Sequence, residues 1–341
     1  MKRNIFRFIK YALFLCLLLF LFTVFWPRTY DVPSFEKRAG TKYWALSTGS
    51  TIGYTFVPAK GTKKPYPVIY LHGGPGGFVS ETVIEVLARL SGNGYDVYFY
   101  DQVGSGQSGR LENIGEYTVE RHLRDLKEII NKTGAEKAIL IGQSWGAVLA
   151  VLFSAGNPAK VYKLVLTSPG PLYPIRKELA NIKSPDSLQL KEPPFSNRQG
   201  NKKENNIRTR AMAFLATCFH IKLAPEKEAD YFATYLKSAL DKSTVCDTAK
   251  LVKPKAGDGF YAGILSFNSL RQLADSRAAI KNLTIPVLVI KGQCDNQPWG
   301  FTNEYLQLFA DHQLAIIPNA GHSLYLEQPE LYVRTIQQFL K

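Results

Sequence analysis

Apolar residues along this chain fall into short unbroken runs, separated by segments in which they recur every three or four positions. The runs PVIYLH (67–72), YDVYFYD (95–101), KAILIG (137–142) and KLVLTS (163–168) read as buried strands. Between them, Ser80–Arg89 carries a Thr82/Glu85 capping-box pattern, and Tyr117–Asn131 sets Leu123, Leu126, Ile129 and Ile130 at helical spacing. Trp145–Ala155, rich in Ala and Val, reads as a third helix. Strand–helix alternation at this spacing predicts a mostly parallel sheet with helices on both faces. Two further β-like stretches, KYWALST and TIGYTFVP, precede the alternation.

The pattern stops after about Tyr173. Residues 181–207 are polar and rich in Pro, Lys and Asn, and helical periodicity returns at Ala211–Leu223 and Ala229–Leu240. Alternation resumes with IPVLVIKG (285–292), a helix around Thr302–Phe309, QLAIIP (313–318) and a last helix near Glu327–Leu340. The expected organisation is an N-terminal segment (1–27), a linker (28–41), an α/β core in two parts (42–174 and 282–341) and a mainly helical cap inserted between them (175–281).

The N-terminal segment has its own chemistry. Tyr11–Trp26 (YALFLCLLLFLFTVFW) is sixteen residues long with Thr23 as its only clearly polar member, preceded by Lys2, Arg3, Arg7 and Lys10. As a helix it spans about 24 Å, short of a hydrocarbon core of about 30 Å, a gap that flanking Lys and Arg close by snorkelling. FTVFWPRTY offers no small-x-small cleavage site, so an uncleaved signal-anchor is favoured over a cleaved leader. The basic N-terminal flank argues for an exported body; Arg28, Lys37, Arg38 and Lys42 beyond the span argue against it.

The net charge of +14 comes from two places. Residues 1–42 hold eight Lys/Arg against two Asp/Glu, and residues 175–281 hold nineteen against eleven. The basic cap reads first as a solvated face, and second as a surface for anionic substrates or lipid headgroups. Of the four cysteines, Cys16 lies in the anchor, and Cys218 and Cys246 either pair or stay as buried thiols. Cys294 reads as a buried bystander.

Within ILIGQSWGAVLA, Gly142-Gln143-Ser144-Trp145-Gly146 matches G-x-S-x-G between an expected strand and an expected helix. A serine on such a turn stands proud of the sheet as a nucleophile, provided a base activates it and an acid orients the base. Among five histidines, His322 in PNAGHS follows the QLAIIP strand and so lies at the correct sheet edge. His122 falls in a helix, His220 in the insertion, His312 ahead of its strand, and His72 reads as a loop-packing residue. Asp295, just past IPVLVIKG, is the candidate acid, whereas Asp311 precedes its strand. The order Ser144, Asp295, His322 is that of α/β-hydrolases. The glycine cluster HGGPGGF (72–78) lacks a following Lys for a phosphate cradle, and Pro75 removes an N–H donor. It suits an oxyanion hole instead, with Gly74 and Trp145 as the N–H donors.

HGGPGG, DQVGSGQS (101–108), GQSWG and the late acid and GH together resemble the proline iminopeptidase family of α/β-hydrolases, from about residue 42 onward. The resemblance implies removal of an N-terminal residue, typically proline, from a peptide through an acyl-enzyme on Ser144, with no metal or organic cofactor. A peptide or acyl substrate and, through the N-terminal helix, the membrane are the expected partners, and nucleic acid is not. Two positions depart from the family pattern. Val103 stands where relatives usually carry Arg, and no Trp-bracketed Glu occurs in the cap to receive a substrate amine. Glu204, Glu226, Glu228 and Asp230 are the cap carboxylates available for that task. An esterase, amidase or lipid-ester hydrolase is therefore the alternative, and a catalytically silent binding protein the second. An epoxide hydrolase or dehalogenase would need Asp at Ser144.

Overall fold

A computed structural model describes residues 2–196, 201 and 203–341. Among them the strands are β1 (Lys42–Ala45), β2 (Thr51–Val57), β3 (Val68–Leu71), β4 (Val97–Tyr100), β5 (Ala138–Gln143), β6 (Val161–Thr167), β7 (Val287–Gly292) and β8 (His312–Ile317). They form one eight-stranded sheet in the order β1-β2-β4-β3-β5-β6-β7-β8, antiparallel at β1–β2–β4 and parallel from β4 to β8. Strands β3, β5 and β7 are buried along their whole length, which is why their sequences are unbroken apolar runs. Successive side chains still point to opposite faces. Ile69, Leu71, Leu140 and Leu164 enter one core, and Val68, Tyr70, Ile139 and Val165 the other.

Helices α2 (Glu81–Leu87) and α11 (Pro329–Leu340) cover one face; α3 (Val119–Lys132) and α4 (Trp145–Gly156) cover the other. The cap of α2 differs from the expected Thr82/Glu85 box: Ser80 is the N-cap, its hydroxyl accepting from Val83 N. Serine already in extended backbone satisfies an otherwise orphaned donor, so the helix starts there.

Between β6 and β7 lie α5 (Ile207–Phe219), α6 (Glu226–Leu240), α7 (Phe260–Leu270) and α8 (Arg277–Lys281), with no strand among the described residues. Helix α5 starts four residues before the apolar periodicity, because Asn206 and Thr209 close a reciprocal capping box. Helix α7 has no counterpart in the sequence pattern. Its residues FYAGILSFNSL lack a polar face because it packs against both α5 and α6. Helices α9 (Trp299–Leu308) and α10 (Leu324–Glu327) complete the second half of the core.

At the N-terminus, α1 (Lys2–Phe25) runs longer than the apolar stretch alone, and Asn4–Phe25 is long and apolar enough to cross a membrane. The segment after it, residues 27–41, has no regular secondary structure but is pinned. Arg38 is buried against Asp101, Pro33 O accepts from Ala256 N, and the Tyr30 ring lies 5.3 Å from that of Phe232.

Candidate active site

Ser144 sits where β5 turns into α4, with φ 54° and ψ −117°. A non-glycine residue tolerates such backbone only where its surroundings impose it. Here they do: Ser144 N donates to Thr167 O at 2.9 Å, and Ser144 O accepts from Ala147 N at 3.1 Å. The flanking glycines are required by contact. A Cβ on Gly142 would come within 2.4 Å of Gly146 O, and one on Gly146 within 2.1 Å of Leu71 O. The strand and helix approach so closely that only glycine fits, and the serine is left half-buried at the sheet's C-terminal edge.

The ends of β7 and β8 bring Asp295 and His322 together. His322 Nδ1 donates to Asp295 Oδ1 at 2.8 Å, which leaves Nε2 as the nitrogen able to accept a proton. The other carboxylate oxygen accepts from Lys291 Nζ at 2.9 Å, and Lys291 also donates to Gln297 O at 2.6 Å. Burial pushes the Asp295 carboxyl up, but Lys291 and His322 outweigh it and hold the group well below the usual carboxylate range. Lys291, only 2% exposed, escaped the sequence reading because a lysine ending an apolar strand ordinarily reaches solvent.

The His322 loop is held from below and from the cap. His322 O accepts from Gln143 Nε2 at 3.3 Å. Glu327 gathers three backbone donors, Gly321 N, Cys246 N and Asp247 N, at 2.6 to 2.9 Å. Cys246 is bonded to Cys294, the residue before the candidate acid. This corrects both cysteine expectations: Cys294 is no bystander, and Cys218 is a free, exposed thiol rather than the partner of Cys246. The cap segment after α6 returns over the end of β7 and brings the two Cα atoms within 5.5 Å, a proximity with no local signature.

The glycine loop is tied to the same elbow. His72 is buried, its Nε2 accepting from Gln102 N at 2.9 Å, while Gln102 Oε1 accepts from Trp145 Nε1 at 2.8 Å. Burial lowers the His72 pKa, so the ring is neutral and serves as a brace, in keeping with a packing role. Gln102 thus links HGGPGG, the DQ motif and the serine turn. Beside it, Asp101 accepts from Arg38 Nη2 at 2.9 Å, Val79 N at 2.7 Å and Gln107 N at 2.8 Å, and is fully buried. Asp101→Ala would strand the buried Arg38 guanidinium and is expected to cost about 3–5 kcal/mol, read as a lowered urea midpoint. A loss below about 1 kcal/mol would mean the pair is solvated.

A cavity of about 670 Å³ opens above this edge, lined by Gly74, Ser144 and His322 below and by α5 and α6 above. None of the four carboxylates singled out in the cap lines it. Glu226 pairs with Lys222, Glu228 with Arg208 and Asp230 with Arg110, while Glu204 faces a second cavity beside α1. From the cap the cavity wall instead carries Asp241 and Asp258 with Lys237, Lys253 and Lys255, and Glu36, Arg38 and Glu81 line it from outside the cap. Lys237 Nζ donates to Asp241 at 2.9 Å, and Thr234 Oγ1 donates to Asp258 Oδ2 at 2.9 Å. Burial raises the Asp258 pKa to about 6, against the pull of Lys237. Among the described residues, no group of three or more His, Cys, Asp or Glu is placed to hold a metal ion.

Residues 66–329 match the α/β-hydrolase fold family. The chain belongs to that family. Among curated relatives, it is 25% identical to the proline iminopeptidase of Heyndrickxia coagulans over 80% of this chain and 90% of that one. It is 34% identical to the proline iminopeptidase of Saccharolobus solfataricus over 35% of this chain and 38% of that one. The crystal structure of proline iminopeptidase from Mycobacterium smegmatis superposes with a TM-score of 0.58 at 20% identity, over 88% of this chain and 97% of that one. The resemblance to proline iminopeptidases seen in the motifs thus recurs over most of the chain, and the eight-stranded sheet agrees with the expected α/β-hydrolase architecture.

Proposed function

We propose that this hydrolase is a serine aminopeptidase that removes the N-terminal residue from a short peptide. Ser144 attacks the scissile carbonyl while His322 Nε2 takes its proton, and Asp295 holds the imidazole and stabilises its charged form. The N–H groups of Gly74 and Trp145 receive the oxyanion. His322 returns the proton to the leaving amine, and water then releases the acyl group by the same route in reverse. The observation that carries the hydrolase reading is the Asp295–His322 bond opening onto one cavity with Ser144.

The aminopeptidase reading draws on the sequence likeness and on charge in the cavity wall. Lys237 forms its ion pair with Asp241 and Lys255 with Glu36. Asp258, buried and bonded to Thr234, is thus a wall carboxylate with no ion-pair partner among the described residues, and it is the receiver for a substrate ammonium. A second reading, ester hydrolysis, is favoured by the absent Trp-bracketed Glu. Full-length protein in detergent, assayed on prolyl arylamide and on uncharged acyl esters, separates the two. Asp258 is charged above about pH 6 and neutral below it. The arylamide kcat/KM is therefore expected to fall relative to that for esters as pH drops through 6. Asp258→Asn should remove this difference and lower the arylamide value about 10- to 100-fold, the worth of a charge-assisted hydrogen bond. Ester turnover without arylamide turnover would sink the aminopeptidase reading.

We further read α1 as an uncleaved anchor with the catalytic body outside the cytoplasm. A helix in a soluble core would be covered, whereas the apolar window of α1 is only 6% buried. A disulfide between Cys246 and Cys294 fits an oxidising compartment.

A further inference from the structure

Helix α5 uses only part of its surface in the fold. Arg208, Thr209, Met212 and Ala216 are buried. The outer side carries Ile207, Phe214 and Phe219, continued by Ile221 beyond the helix, and these are 50%, 58%, 59% and 52% exposed. The rings of Phe214 and Phe219 meet edge to face at 5.8 Å, so they cover each other instead of the core. Large apolar side chains exposed together on one element mark an interaction surface.

The neighbouring element indicates what covers it. The C-terminal end of α1 is fastened to α5 and α6: Arg208 Nη1 donates to Val24 O at 2.6 Å and Arg208 pairs with Glu228 at 2.6 Å. Arg28 N also donates to Glu228, at 3.1 Å. The apolar span therefore leaves the folded body at the N-terminal turn of α5, the helix whose C-terminal half carries the exposed rings. Charge at this junction is one-sided once its ion pairs are set aside. Glu228 is matched by the buried Arg208, Glu226 by Lys222, Glu204 by Lys203 and Asp31 by Lys253, while the exposed Arg28, Arg210 and Lys227 have no ion-pair partner among the described residues. Aromatic and aliphatic side chains ringed by Lys and Arg suit the boundary between anionic headgroups and acyl chains.

We propose that the Ile207–Phe214–Phe219–Ile221 face of α5 seats on an anionic lipid surface and docks the cap onto the bilayer that α1 enters. The inference rests on α1 being a membrane anchor. It places the substrate cavity close to the lipid, because Thr209 and Ala213 on the other side of α5 line that cavity, one helix diameter of about 10 Å away.

The two free thiols allow a test on the full chain, since Cys246 and Cys294 are bonded to each other. Cys16→Ser and Cys218→Ser forms would each be labelled with a polarity-sensitive fluorophore at the remaining thiol. The labelled proteins would be reconstituted into vesicles of phosphatidylcholine and phosphatidylglycerol. The Cys218 label is expected to shift to the blue and to be quenched by lipids carrying doxyl near the headgroup. The Cys16 label should be quenched by doxyl on the acyl chain. Phe214→Ser with Phe219→Ser should abolish the Cys218 response and leave that at Cys16 intact. Quenching at Cys16 with Cys218 in water would overturn docking while the anchor stands. No quenching at either site would overturn the anchor and docking together. A Cys218 label shielded from aqueous iodide but untouched by doxyl lipid would mean that protein, not lipid, covers the face, and would overturn the proposal.

Discussion

Ser144→Ala is expected to lower kcat about 10⁶-fold and to abolish labelling by a fluorophosphonate, with little change in stability. The magnitude is that of a nucleophile removed from a cooperating triad, where loss of one member disables the unit. Stability should hold because Ser144 is fastened through its backbone, by Ser144 N to Thr167 O and Ala147 N to Ser144 O, and those bonds survive the substitution. Alanine keeps the φ of 54° at a modest cost, since the glycines at 142 and 146 still relieve the turn. Turnover of arylamide and ester substrates, with unfolding followed in parallel, checks both halves. Turnover that survives in Ser144→Ala would sink the mechanism. Wild-type protein that fails to label would favour a silent binding protein.

Asp295→Asn is expected to lower kcat about 10⁴-fold with the fold retained, the loss seen where an analogous change leaves the imidazole in the wrong tautomer. The local geometry predicts why that tautomer would result here. Two donors compete for the oxygen of the introduced amide, Lys291 Nζ at the Oδ2 position (2.9 Å) and Gln297 N at the Oδ1 position (3.1 Å). The shorter, charge-assisted Lys291 bond is the stronger and keeps the oxygen on its side. The amide nitrogen is then turned toward His322 Nδ1, which must accept, and the proton moves to Nε2. A protonated Nε2 cannot take the proton of Ser144. The defect should ease as pH rises only if hydroxide replaces the base, so a pH–rate profile of the variant is the diagnostic measurement. A loss below about tenfold would remove Asp295 from the mechanism, because no orienting role would then be needed.

Local rules made much of the molecule legible. An unbroken apolar run marks a strand that is covered on both faces, and β3, β5 and β7 are such strands. A recurrence of three to four marks an amphipathic helix, and α3 and α11 follow it. Gly142 and Gly146 identified the serine turn because close approach leaves no other residue possible. Asp295 and His322 could be nominated because each follows a strand at the same sheet edge, which parallel topology alone guarantees. Periodicity failed at α7, where burial on several sides erased the polar face that reveals a helix.

By itself, then, the sequence determined the order of strands and helices in the α/β core, the serine turn, the glycine loop and an apolar N-terminal span, all of which are written in neighbouring residues. Tertiary structure alone decided which distant groups meet. It joined Cys246 to Cys294 across 48 positions, set Lys291 and His322 on opposite oxygens of Asp295, and buried Arg38 against Asp101. It also turned four expected cap carboxylates away from the cavity, put Asp258 in its wall and left one side of α5 uncovered. The physical reason is that a charge or thiol finds its partner through the packing of whole elements, and no spacing along the chain encodes that distance.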